Sequence, residues 1–199
     1  MAECFYCVDT VHISTQDHAN DVHIEGLMMA KIERGRRTAD IGDRDGVVIF
    51  LIGMRINRPW QLWSWLPIFI AMPRMIFELM KDPSRGLLTR PRTYISGRTV
   101  LLVQYWNSFN DLERYARDTE AQHLPAWRAF NRRIRDNGSV GIFHETYRVA
   151  AGDIETAYAN MPAFGLAAAS TLVPITPEQQ TAATRIGDRR EDRAPVEPY

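Results

Sequence analysis

The run from Val100 to Val149, VLLVQYWNSFNDLERYARDTEAQHLPAWRAFNRRIRDNGSVGIFHETYRV, most constrains what this chain can fold into. Val100–Trp106 is dense in branched and aromatic residues, the composition of a strand. Ser108 stands where a helix N-cap is expected, with Asp111 three residues on, where a capping box usually has Glu or Gln. Asp118, Thr119 and Pro125 predict a break or kink before the helix resumes at Trp127–Ile134. Asn137–Gly138 then turns the chain into Val140–Val149. The unit is strand, helix, strand.

Two upstream segments extend it. Asp45–Gly46 leads into Val47–Asn57, VVIFLIGMRIN, a strong strand with two unlike faces. Val48, Phe50, Ile52, Met54 and Ile56 are uniformly apolar and call for a helix layer. Val47, Ile49, Leu51, Gly53, Arg55 and Asn57 begin apolar and end polar, as a strand does when it enters a cavity. Trp60–Met80 is apolar almost all round. Only 15 residues separate Arg58 from Arg74, and Pro67 and Pro73 interrupt the run, so no membrane span is expected. The segment reads as a helix buried between sheet and partner subunit. The sharper alternatives are a wall for a greasy ligand or a membrane-surface helix anchored by Trp60, Trp63 and Trp65. After a loop over Lys81–Arg92, a turn at Ser96–Gly97 predicts a hairpin of Arg92–Ser96 with Thr99–Trp106.

The element order is therefore β-α-β-β-α-β, an α+β, ferredoxin-like pattern. Both faces of Val100–Trp106 are apolar, yet helices cover only one side of such a sheet. A second copy of the chain is the simplest cover for the other, which predicts a homodimer.

At 199 residues, with 45% apolar and 24% charged residues, the chain suits one globular domain with tails. Residues 1–30 read as a flexible extension, 31–170 as the domain, and 171–199, rich in Pro, Thr, Glu and Arg, as a disordered tail. Lys+Arg and Asp+Glu balance at 24 each, so charge predicts neither nucleic acid nor an anionic membrane as partner. The arginines of Arg34–Arg37 and Arg128–Arg135 read as solvated faces. Cys4 and Cys7 precede His12, His18 and His23, but the spacing fits no standard zinc site, so no metal is expected. Two cysteines build no disulfide framework. With no secretory pattern at the start of the sequence, a cytoplasmic location is expected.

Strand parity nominates site residues. Arg55 and Asn57 share a face of one strand, Gln104 and Trp106 of another, and His144, Thr146 and Arg148 of a third. Arg55, Asn57, Gln104, Trp106 and His144 form the kind of sparse polar set that orients a ligand in an apolar pocket. His123, beside Leu124–Pro125, reads equally as a general base or as a cap on the helix break. His144 reads as a base or as a satisfied core or interface histidine. Glu145 points to the other face of its strand and is not expected to orient it. No phosphate loop, dinucleotide fingerprint or nucleophile elbow is present, which argues against nucleotide-dependent dehydrogenases, kinases and α/β-hydrolases. These residues suit an enzyme that uses no organic cofactor. His123 or His144 would take a proton, Arg55, Asn57 and Gln104 would hold the resulting anion, and Trp106, Trp127 and Phe130 would exclude water.

The segments GMRIN, LPxFxxMPRM, QYWxSFxDLxRYAR, HLPAWRAFNRR, VGIFHETY and NMPxFGL together resemble a small monooxygenase-like family that includes a monooxygenase of fumagillin biosynthesis. That family is similar to the antibiotic-biosynthesis monooxygenases of the dimeric α+β barrel superfamily. The resemblance covers about residues 31–170 and implies a homodimeric barrel that oxidises a small hydrophobic substrate. It also implies two alternatives, since relatives include haem enzymes and passive ligand binders: a haem-dependent enzyme with His123 as axial ligand, or a non-catalytic dimeric protein that holds a hydrophobic ligand.

Overall fold

The structure is a computed structural model that describes residues 30–118 and 137–187. Its main sheet is built from β2 (Gly46–Ile56), β3 (Arg92–Ser96), β4 (Thr99–Trp106) and β5 (Val140–Ala150), in the order β3-β4-β2-β5, with every neighbour antiparallel. Helix α1 (Leu62–Met80) joins β2 to β3, and α2 (Phe109–Arg117) follows β4. This is the ferredoxin-like α+β arrangement that the pattern predicts. Ser96 pairs with Thr99 across a two-residue loop in which Gly97 sits at φ 54°, so positive φ falls at the first loop position, as a tight hairpin turn requires.

Cross-strand register decides which residues share a face. Val48 lies opposite Trp106 and Arg148, Phe50 opposite Gln104 and Thr146, and Ile52 opposite Leu102 and His144. Antiparallel partners point the same way, so these residues form one surface, the one beneath the helices.

α1 is pinned to that surface at its two ends. Near its start Trp65 and Ile68 pack on Met54, Val140 and Ile142. Near its end Leu79 packs with Val48, Trp106 and Leu112 of α2. Between them the helix bridges the middle of the sheet. α2 begins as its sequence predicts: the Ser108 hydroxyl accepts the Asp111 N–H at 3.1 Å and donates to the Asp111 carboxylate at 2.6 Å.

Three observations bear on these expectations. Within its own chain α1 is covered on the inner side only: Ser64 and Leu79 alone are fully buried within it. Residues 171–187 are not a disordered tail. β7 (Thr171–Pro174) and α3 (Ala182–Arg185) are formed there, and Arg185 is locked by Glu155 at 2.6 Å and the Gln179 carbonyl at 2.9 Å. Third, the far face of the main sheet is partly covered by the chain itself. β1 (Glu33–Asp40) pairs with β6 (Tyr158–Met161) and β7 in a second sheet. Ala39, Ile41, Leu166 and Ala169 close over Val47, Tyr105 and Val149. β1, ERGRRTAD, shows no apolar alternation because none of its residues is fully buried and its stability comes from backbone pairing on two edges.

Candidate functional site

The bridged span of α1 encloses a cavity of about 630 Å³ over the centre of the main sheet. Its floor is Phe50, Ile52 and Met54, and its roof is the inner face of α1, chiefly Ile68, Met72, Met75 and Ile76. Pro67 and Pro73 lie in the roofing helix and lack the N–H that would bond the preceding turn. The lining is mostly apolar and thioether, a surface suited to a greasy ligand.

A few polar groups enter it. Gln104 and Trp106 project from β4 and are both buried. The Trp106 indole N–H donates to Gln104 Oε1 at 2.9 Å. An indole nitrogen only donates, so the amide oxygen is committed to it and the amide NH₂ is the end turned from Trp106. His144 and Thr146 project from β5, an edge strand, where both are exposed, so they mark the open side of the cavity. The His144 ring lies 5.9 Å from that of Phe50. β4 and β5 flank β2, and Gln104 and His144 are also two positions apart along it, so they stand on opposite sides of the cavity floor, roughly 12 Å apart at the backbone.

One wall is charged behind and neutral in front. Tyr115 lines the cavity, its ring 5.7 Å from that of Trp106. Burial, helped by the Glu78 carboxylate, pushes its phenol up to about 12 against the opposing pull of Arg85, so the hydroxyl stays protonated at any ordinary pH. Arg85 lies 5.5 Å from the ring centroid and reaches Glu78, Asp82 and Asp118 at 3.4, 3.3 and 3.9 Å. This cluster ties the end of α1 to the end of α2. Tyr115 escaped the sequence reading; its signal is the three-residue spacing from Leu112, which puts both on the inner face of α2.

Of the residues nominated from the sequence, the structure brings Gln104, Trp106 and His144 to one cavity. Arg55 and Asn57 do not join them. Parity pairs Arg55 with Thr99 and Gly141, on the face away from the helices, and its guanidinium reaches Thr99 Oγ1 at 3.3 Å. Asn57 lies past the end of β2 and donates to the Gly138 carbonyl at 3.1 Å, holding the turn before β5. The cavity lies on the uniformly apolar face of β2 and not on the half-polar face that carries Arg55. His123, Trp127 and Phe130 lie outside the described residues. Among the described residues no three His, Cys, Asp or Glu side chains gather as a metal site.

The sequence profile of the Monooxygenase af470-like family matches residues 47–166, which span β2 to the loop over the second sheet. Monooxygenase af470 of Aspergillus fumigatus is 31% identical over 151 residues, covering 66% of this chain and 53% of the relative, so the chain spans about half the relative's length. Among solved structures, an aldoxime dehydratase in complex with butyraldoxime superposes with a TM-score of 0.50 at 17% identity, over 67% of this chain and 42% of that one. At that identity the likeness concerns the fold alone.

Proposed function

The chain belongs to the Monooxygenase af470-like family, and from that premise we propose that it is a small monooxygenase that oxidises a hydrophobic, enolisable substrate without an organic cofactor. One observation carries the reading: an apolar cavity holds an imidazole on one side and an amide of set orientation on the other. His144 would take a proton from a methylene beside a carbonyl. The Gln104 NH₂ would donate to the oxygen on which the enolate charge develops, and Trp106 keeps that amide from turning. The enolate carbon then passes its electrons to dioxygen as the C–O bond forms. The proton returns to the distal oxygen, and the hydroperoxide loses water. One methylene and one O₂ become one carbonyl and one water, with no other reductant.

A homodimer belongs to the same proposal. Tyr94, Phe143 and Tyr147 are exposed on the sheet face away from the helices, beyond the part that the second sheet covers. A second copy laid on this face would bury them. The haem alternative depends on His123 as ligand; His144 is the one imidazole among the described lining residues.

The test is oxygen uptake against a panel of hydrophobic aryl ketones and β-diketones, with an absorbance spectrum of protein expressed with haem precursor. The expected result is one O₂ per substrate, a spectrum without a Soret band, and a His144→Ala rate down by about 10²–10⁴-fold with substrate binding kept. A stoichiometric Soret band that His123→Ala removes would replace this reading with haem chemistry. Binding without oxygen uptake would make the protein a passive carrier.

A further inference from the structure

We propose that the outer face of α1 docks on a lipid surface bearing anionic headgroups. α1 is apolar on two sides, and its inner side is already occupied by the cavity and the sheet. On the outer side Trp60 is 70% exposed, Trp63 68% and Ile70 54%, and Leu62, Leu66 and Phe69 lie in the same row. Trp60 lies in the turn just before the helix, and the others recur at three- and four-residue spacing, so they form one stripe along the first half of α1, about 12 Å long. An isolated interfacial helix needs a polar face for solvent. Here the protein body stands behind the helix, and the apolar stripe meets the outside with Arg74 as the one exposed charge of the helix.

Charge points to the chemistry of the occupant. Between Arg58 and Lys81 the one acidic residue is Glu78, and it is tied to Arg85 at 3.4 Å. The exposed ionic residues of the segment are Arg58, Arg74 and Lys81, all cationic. Indole rings beside a cationic fringe match the headgroup layer of an anionic leaflet. α1 is long and apolar enough to cross a membrane. Crossing would strip Leu79 and Ile68 from the sheet and open the cavity, so the helix lies in the surface instead. Pro67 is both exposed and part of the cavity lining, so lipid contact on one side of α1 adjoins the ligand space on the other.

Co-sedimentation with phosphatidylcholine vesicles, with and without phosphatidylserine, tests this, with tryptophan emission and light scattering read in parallel. The whole chain should bind the phosphatidylserine vesicles more tightly, with blue-shifted emission and weakening by salt. Trp60→Ser with Ile70→Ser should bind about tenfold more weakly or worse at an unchanged melting temperature, because exposed anchors stabilise the bound state and not the fold. Arg74→Glu should lower the preference for phosphatidylserine. The proposal fails if the wild-type chain binds neither vesicle, or if the double variant binds as wild type does. It also fails if the double variant breaks up a dimer while neither protein binds lipid, which would assign the face to a second copy.

Discussion

Trp106 holds Gln104 by a single hydrogen bond, indole N–H to amide oxygen at 2.9 Å, inside the protein. Two residues apart on β4, they share a face, and the ring that walls the cavity also sets the direction of its amide. Replacing Gln104 with Leu leaves a buried indole N–H without an acceptor, at a cost of about 1–3 kcal/mol. Trp106→Phe removes the restraint, leaving the amide free to turn, and adds a cavity penalty. Denaturant melts should show both losses. Gln104→Leu should also weaken binding of a carbonyl ligand more than that of its hydrocarbon analogue. Equal effects on the two ligands would remove Gln104 from substrate recognition.

Tyr115 supplies a pH dependence. Its phenol is raised in the folded protein to about 12, against an ordinary value of 10.0. Below pH 10 both states are neutral and the group leaves stability unchanged with pH. Between pH 10 and 12 the unfolded chain ionises while the folded one does not, so stability falls by up to about 2–3 kcal/mol. Tyr115→Phe should flatten part of that decline. Urea melts of both proteins at pH 8 to 11 measure the difference, and parallel curves would show that Tyr115 is not so deeply shielded.

Gly53 makes room for Phe143. The two are cross-strand partners, and a β-carbon at Gly53 would sit 2.4 Å from the Phe143 ring and 2.8 Å from the Val100 carbonyl oxygen. Gly53→Ala should cost about 1–3 kcal/mol by pushing the ring off the sheet. Adding Phe143→Leu should recover part of that loss, because the clash with the ring is then gone. If the double variant shows no such coupling, the contact is not the cause.

Ser139 is fully buried, and its hydroxyl has no hydrogen-bond partner among the described residues. Its carbonyl accepts the N–H groups of Asn57 and Arg58, and its own N–H goes to Asn137, so the backbone needs no help from the side chain. Ser139→Ala should stabilise the protein by about 1 kcal/mol, visible as a higher melting temperature. A lower melting temperature would reveal a hydroxyl contact.

Much of the fold was legible because its signals are local. The β-turn at Gly97, the cap at Ser108 and the alternation along β2, β4 and β5 are each written within a few residues. Parity alone put Gln104 and Trp106 on one face, and His144 on a single face of its own strand. Parity does not say which face of β2 joins theirs. That depends on register, and a one-residue slip reverses every assignment. Arg55 was misplaced for this reason. β1, β6 and β7 were invisible because their pairing partners lie more than a hundred residues away and their side chains carry little pattern.

By itself, then, the sequence determined the order of elements, the apolar character of α1 on both its sides, and the few polar residues that the central strands carry. Those follow from periodicity and propensity, which act over a turn or two of chain. Tertiary structure alone decided that α1 is pinned at its ends and spans a cavity in the middle, that Gln104 and His144 flank the same floor while Arg55 and Asn57 lie away from it, and that the last strands fold back over the far face. Each of these is a relation between segments distant along the chain, set by strand register and by where large side chains such as Trp65 and Leu79 find something to pack on.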